Sequence, residues 1–396
     1  MRKNTVGLFY FFSAICSISM SFIAATYVIF LMSHGLNPFE VNMVNVAFFA
    51  TMALCEIPTG TFADVFGRKP SFVVACLILA GSFFVYAGSS TFWGFVLAEA
   101  IGAVGKSFSN GAFQAWMVDR LKHQEGKTEL GNVFDWKYRI DRTGAIFGGL
   151  AGAFLANYSV AFPWIAGGVS MIIVSILAII LMKEEYFVRK KCSAKVNLKE
   201  SWQKVRRGIY FARTDNTAKF ILVIGILSAF AVQAPNMQWQ PLFRAGAHSQ
   251  IGLGLISSGI NIFLLFGLFL TGILQKIAKS EKRAIIISQL VIGVGIALSG
   301  LLSPWFWVAM ASFYFHEMGR GAVVPINDTC LNEAITSKEE RAIINSCSHM
   351  VQHLGALAGL FLSGYLAFRW GYSLTWIATG SVLVLGTLMV AKNGKQ

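Results

Sequence analysis

Glu56, Glu99, Lys106, Asp141, Arg142, His316 and Arg320 stand inside long apolar stretches of the chain. An ionised side chain in such surroundings costs a few kcal/mol, so each raises a question of function. Glu99 has no cation one turn away on its own segment. A lone carboxylate shielded from water is suited to loading and releasing a proton, and Glu56 and Asp141 are the other candidates for proton coupling. Two alternatives stay open. Lys106 or Arg142 could hold Glu99 in a fixed ion pair, and Glu56 could make a structural bond to the eleventh apolar segment. Asp135 and Arg139, like Lys137 and Asp141, are four residues apart and can neutralise each other along one helix. Arg142, His316 and Arg320 have the chemistry to bind an anionic group. Gln233, Asn236, Gln238 and Trp239, between Pro235 and Pro241, give a polar and aromatic surface on an interrupted helix, a candidate for substrate contact.

Other chemistries lack their residues. His349 and His353 are one turn apart, but no acid or cysteine in their segment completes a ligand set, so no metal is expected. The six cysteines include no C-x-x-C pair and read as small apolar residues. No phosphate-binding loop or catalytic triad is evident. The chain is therefore not expected to be an enzyme or to carry a cofactor.

The elements that must position these side chains are membrane helices. Of 396 residues, 55% are hydrophobic and 13% charged, against roughly 25% charged in soluble domains. The runs 7–32, 159–182 and 251–275 contain no charge and can cross about 30 Å of hydrocarbon. Hydropathy predicts twelve spans, near 7–33, 41–63, 70–89, 92–119, 132–156, 159–182, 218–242, 251–275, 284–302, 304–330, 342–368 and 372–391. With the N-terminus inside, the cytoplasmic segments hold 26 Lys and Arg and the outer loops two. This asymmetry predicts a multi-pass protein of the cell membrane with both termini cytoplasmic. The net charge of +14 then serves orientation and contact with anionic lipid, not nucleic acid.

The one long polar stretch, 183–219, divides the spans into six and six. Within it Leu198, Trp202, Val205 and Ile209 recur at helical spacing among basic residues, which predicts an amphipathic helix on the inner membrane face, with Asn197 and Glu200 resembling a capping box. The halves repeat. Thr59-Gly60 matches Thr271-Gly272, Gly111-Ala112 with Asp119 matches Gly321-Ala322 with Asp328, and Arg142-x-Gly144-Ala145 matches His353-x-Gly355-Ala356, at offsets of 209 to 212. Ordered matches at one offset predict parallel repeats about an axis along the membrane normal.

Between the second and third spans runs Gly60-Thr61-Phe62-Ala63-Asp64-Val65-Phe66-Gly67-Arg68-Lys69, read as a tight charged turn. It closely resembles the signature loop of the major facilitator superfamily, with Val65 where a basic residue is frequent. The resemblance implies an all-α membrane protein of twelve transmembrane helices in two six-helix bundles, residues 1–182 and 218–396, joined by a cytoplasmic linker, 183–217. It implies a secondary transporter working by alternating access, with spans 1, 4, 7 and 10 around a cavity. Gly60, Asp64, Gly67, Arg68, Lys69 and Asp119 would form the inner gate, with Asp119 the partner of Arg68 or Lys69. The counterpart after Gly272 lacks the acid. Similarity to drug–proton antiporters points to proton-coupled efflux of small amphipathic compounds, lipophilic cations among them. Transport of a metabolite, anionic in one version, is the alternative, and a channel or non-transporting receptor a more distant one. The glycines 144, 148, 149 and 152 partly match the antiporter motif of span five, without its proline, and equally suit close helix packing. The expected partners are a small-molecule substrate, protons and the bilayer, and the protein is expected to act as a monomer.

Overall fold

The computed structural model describes residues 2–123, 130–184, 187, 215–334 and 338–393. Fourteen helices account for nearly all of them, and no strand occurs among the described residues. They are α1 Arg2–Ser21, α2 Tyr27–Ser33, α3 Pro38–Phe66, α4 Arg68–Gly88, α5 Phe92–Ser109, α6 Ala112–His123, α7 Leu130–Ala156, α8 Phe162–Leu181, α9 Asn216–Ala231, α10 Gln233–Ala247, α11 Gln250–Ala278, α12 Glu281–Leu301, α13 Phe306–Ala334 and α14 Lys338–Asn393. The predicted amphipathic helix around 198–209 lies outside the described residues, as do the side chains of Asp328 and His349.

Eight stretches are long and apolar enough to cross a membrane, among them Arg68–Gly88, Phe162–Leu181, Asn216–Ala247 and Met350–Lys392. Those that fall short, α5 with α6, α7, and α13, carry Glu99 and Lys106, the charges of 135–142, and His316, Glu317 and Arg320. These helices thus hold most of the charged candidates, while Glu56 and the seventh-span residues 233–239 lie in stretches that qualify.

Local sequence explains where helices start and stop. Asn37 and Glu40 form a capping box at α3: Asn37 Oδ1 accepts from the amides of Phe39 and Glu40, and Glu40 Oε2 accepts from that of Asn37. Asp215 caps α9 through the amide of Ala218 at 2.6 Å. Several expected spans are interrupted. The first breaks at 22–26, the fourth at Asn110-Gly111, and the seventh at Val232, just before Pro235. The last two spans form one helical stretch that turns at Gly371. One proline is accommodated and one expectation is corrected. α3 runs through Pro58 without a break; the neighbouring Thr59 hydroxyl donates to the carbonyl of Cys55 at 2.9 Å, local bonding of the kind that tolerates proline in membrane helices. The signature run is not a loop, since it is helical up to Phe66 and the whole turn is Gly67.

The chain divides into two compact units. The first comprises 1–34, 47–196 and 247–261, the second 35–46, 197–246 and 262–396. Between apolar helices in lipid, cohesion comes from close packing rather than from exclusion of water. In the first unit Phe72 stacks on Phe113 at 4.7 Å between ring centres, with Phe9 and Phe12 alongside. In the second, Phe243, Phe313 and Trp376 form an aromatic core.

Each unit also has a seam where glycine lets backbone touch backbone. Along α7, a Cβ on Gly144 would lie 3.1 Å from the carbonyl oxygen of Ala14, and Gly148 and Gly152 press on the carbonyls of Ile18 and Phe22. Along α14, Gly355 sits on the carbonyl of Ile226 and Gly359 on that of Phe230. These pairs keep the repeat offset, and in both units the seam ends where the partner helix breaks. Thr59 Oγ1 bonds Ser107 at 2.8 Å, and its repeat counterpart Thr271 reaches the carbonyl of Ala322 at 3.5 Å, a residue that matches Ala112 rather than Ser107. The first turns of α11 complete the first unit: a Cβ on Gly254 would lie 2.6 Å from that of Ala153, and Ser257 lies over Gly149.

Candidate functional site

Inside the first unit is a cavity of about 310 Å³ lined by α1, α4, α5, α6, α7 and α8. The spacing of α7 places Lys137, Asp141 and Arg142 on it, α5 contributes Lys106, and α1 contributes Ser13 and Ser17. Lys137 Nζ lies 2.5 Å from Asp141 Oδ2, so the predicted i,i+4 pair is formed. Ser17 donates to the main-chain carbonyl of Asp141 and fixes that turn of α7 against α1. Arg142 lies over the ring of Tyr138 at 4.9 Å and reaches Asn261 Oδ1 at 3.5 Å. Its Nε is buried without a hydrogen-bond partner. The lining thus carries three cations and one carboxylate. That is the reverse of what a lipophilic cation would require.

Glu99 lies elsewhere. It is 9% exposed and accepts from the hydroxyl of Tyr27 at 2.7 Å. Tyr27 is within 3.4 Å of the Tyr86 hydroxyl, and Tyr86 stacks on Trp164 at 4.0 Å. The carboxylate is held in an aromatic box away from the lining, and its hydrogen-bond donor is a phenol, not Lys106 or Arg142. Glu56 is exposed on α3.

The inner-gate residues gather at the junction of α3 and α4. Gly67 has φ 107° and ψ 161°, a conformation essentially confined to glycine. Arg68 pairs with Asp64 at 2.8 Å and approaches Asp119 of α6 at 3.9 Å. The strongest contact comes from Glu184, just past the end of α8. Its carboxylate takes the amide of Arg68 at 2.6 Å and that of Lys69 at 3.0 Å, across the positive N-terminus of α4. Around it Lys69 Nζ donates to the carbonyl of Ile179, and Trp116 and Arg120 both donate to that of Lys183. Gly60 is helical with open space beside it, so a turn is not its role.

In the second unit a buried network joins α10 and α13. Glu317, 2% exposed, receives Arg320 Nη1 at 3.0 Å, and Arg320 also donates to Asn236 Oδ1 at 3.0 Å. His316 is fully buried; its Nδ1 donates to the carbonyl of Phe313, and its Nε2 lies 3.5 Å from Glu317. Gln233, Gln238 and Trp239 are buried as well. The two amides donate to the carbonyls of Ala229 and Ser363. Of the seventh-span candidates, the structure brings Asn236 to Arg320 and turns the others to packing.

Sequence reasoning weighed Lys106 only as a partner for Glu99, and it missed Glu184 and Tyr27. The signal for Glu184 was an acid at the end of a span among bases. Only the fold reveals that this end meets the start of α4.

Comparison with known proteins places the chain in a family. The family model of the Major Facilitator Superfamily matches residues 9–335. An uncharacterized MFS-type transporter, YxaM of Bacillus subtilis (strain 168), is 23% identical over 303 residues, covering 76% of this chain and 74% of the relative. The class H tetracycline resistance protein of Pasteurella multocida is 24% identical over 365 residues, covering 88% and 85%. Among solved structures, the nucleoside transporter NupG superposes with a TM-score of 0.79 at 13% identity over 99% of this chain and all of that one. A D-xylose-proton symporter superposes with a TM-score of 0.70 at 15% identity, covering 98% and 95%.

Proposed function

This chain belongs to the Major Facilitator Superfamily, and on that premise we propose that it exports small amphipathic organic compounds across the cell membrane by alternating access, driven by protons. It is a multi-pass membrane protein of a transporter family; substrate, direction and coupling are the proposal. The observation that carries it is the cavity in the first unit, where Lys137 and Asp141 form a 2.5 Å ion pair in a lining that also holds Lys106, Arg142, Ser13 and Ser17. A small polar group is held there by side chains already charged, so binding needs no new charge in the membrane.

Within this reading Asp141 is the proton-carrying acid, because it lines the cavity and its partner Lys137 can release it. Glu99 braces α5 through Tyr27, and Glu317 holds Arg320. The cluster of Asp64, Arg68, Asp119 and Glu184 locks the inner ends of α3, α4 and α8 in one state. Efflux is supported by two relatives, the class H tetracycline resistance protein and multidrug resistance protein 2 of Bacillus subtilis, the second matched over 39% of this chain. The same lining supports a second reading, carriage of an anionic metabolite.

The test is flux in proteoliposomes with an imposed pH gradient, using a panel of labelled amphipathic compounds. The wild-type protein should accumulate at least one compound against its gradient. Asp141→Asn should abolish dependence on the pH gradient while leaving exchange of that compound across equal pH. Full response to pH in Asp141→Asn would remove this acid from the mechanism, and equal flux with and without a gradient in the wild type would remove proton coupling.

A further inference from the structure

Lys106, Lys137 and Arg142 face one cavity with a single carboxylate among its lining residues. That carboxylate is engaged, because Asp141 lies 2.5 Å from Lys137. Among the described residues no acid lies within ion-pair distance of Lys106 or Arg142. Arg142 is braced by Tyr138 and Asn261, which fix its plane without neutralising it. Its Nε is a buried donor with nothing to donate to. Lys106 is exposed to the cavity, so its ammonium is free to meet a solute. Ser13 and Ser17 add hydroxyls at the same wall.

Two cations without an ion-pair contact at membrane depth are expensive unless an anion answers them, and a guanidinium with an unpaired donor fits the two oxygens of a carboxylate or the oxygens of a phosphate or sulfonate. We propose that the cavity of the first unit is an anion site in which Lys106 and Arg142 bind the carboxylate, phosphate or sulfonate group of the transported compound, with its apolar part against Phe72, Leu79 and Met171. This deepens the proposed transport function, and rests on it for the word transported; the anion site itself rests on the lining. It also inverts the expectation that lipophilic cations are the natural cargo.

Two measurements on the full chain test the charge preference. In the first, binding of 2-naphthoate, 2-naphthamide and 2-naphthylmethylammonium to detergent-purified protein is compared by calorimetry. Focusing of potential in a charged cleft concentrates counter-ions by about tenfold or more, so naphthoate should bind at least about tenfold tighter than the isosteric amide, with the ammonium weakest. In Lys106→Gln or Arg142→Gln the three affinities should converge to within roughly threefold, the screened remainder of one lost cation. No binding of naphthoate, a preference for the ammonium, or an undiminished anion preference in both variants overturns the proposal. Displacement of naphthoate by phosphatidylglycerol, but not by soluble naphthyl phosphate, also overturns it and reassigns the cations to lipid.

The second measurement needs no variant and no ligand. Cys16 lies on the cavity wall. Its modification by the anionic reagent 2-sulfonatoethyl methanethiosulfonate and by its trimethylammonium analogue is followed by mass spectrometry of the Cys16 peptide, each rate divided by that of a free thiol. The sulfonate should be favoured by about tenfold or more at low salt, and the ratio should fall towards one in high salt. A ratio at or below one at low salt sinks the anion site. Failure of the transport reading looks different: the naphthoate preference and the Cys16 ratio hold, yet no compound moves in proteoliposomes. Flux of neutral and cationic compounds without any anion preference would leave transport standing and remove the site.

Discussion

Gly67 and Glu184 are two halves of one contact, and their coupling can be calculated. A Cβ on Gly67 would lie 2.7 Å from Glu184 Oε2 and 3.3 Å from Cδ of Pro70. Its φ of 107° and ψ of 161° add backbone strain of roughly 1–3 kcal/mol for any other residue. In Gly67→Ala the carboxylate must also withdraw from the amides of Arg68 and Lys69, which it holds at 2.6 and 3.0 Å, and losing bonds to a charged acceptor costs about 1.5–3 kcal/mol. The single substitution should therefore destabilise by roughly 2.5–6 kcal/mol. Glu184→Ala loses the hydrogen bonds without the strain, about 1.5–3 kcal/mol. In the double variant the bonds can be lost only once, so it should be no less stable than Gly67→Ala alone, with a coupling energy of about 1.5–3 kcal/mol. Denaturant unfolding in detergent, read from tryptophan fluorescence, gives all four corners of the cycle. Strict additivity would refute the shared contact, and a Gly67→Ala protein as stable as the wild type would refute the account of the turn as well.

Two further outcomes follow from the packing. Glu317→Gln leaves the Arg320 guanidinium half-answered; breaking a buried pair costs up to about 5 kcal/mol, reduced to roughly 2–3 because Arg320 is partly exposed. Adding Arg320→Gln should recover part of that loss in thermal stability, and a double variant worse than Glu317→Gln would show that the pair is not the relevant partner. Gly152→Ala places a methyl into the carbonyl of Phe22, whereas Gly60→Ala meets open space. The first should lose about 3 kcal/mol or more of stability and most of its folded yield by size-exclusion chromatography. The second should fold as well as the wild type, and equal yields for both would dismiss the seam.

Much of the fold was legible because membrane helices announce themselves by composition and the repeat by spacing. The signature run and the pair Lys137 and Asp141 were equally readable, since both are local in sequence. What escaped was long-range. Glu99 stood alone in its own segment, and only the packing of α2 and α4 on α5 supplies Tyr27 and Tyr86. Glu184 lies well over a hundred residues from the amides it caps. The glutamines of the seventh span looked like a binding surface, but helical wheels do not reveal whether a polar face meets solvent or the carbonyls of Ala229 and Ser363. The sign of the cavity was also hidden: Lys106 and Arg142 are far apart in the chain, and the acid considered as their partner, Glu99, is buried against Tyr27 instead.

The interleaving of the two units has a consequence for biosynthesis. The glycine face of α7 is not fully covered until Gly254 and Ser257 arrive on Ala153 and Gly149. Ribosomes add about 5–20 residues per second, so the interval between completing α7 and emitting that segment is on the order of 5–20 s. Throughout it, the nascent first unit presents an open stripe of small residues to the bilayer and to whatever membrane chaperone or neighbouring nascent helix can fill it. The chain's maturation is therefore not sequential by halves: the first half waits for the second to begin.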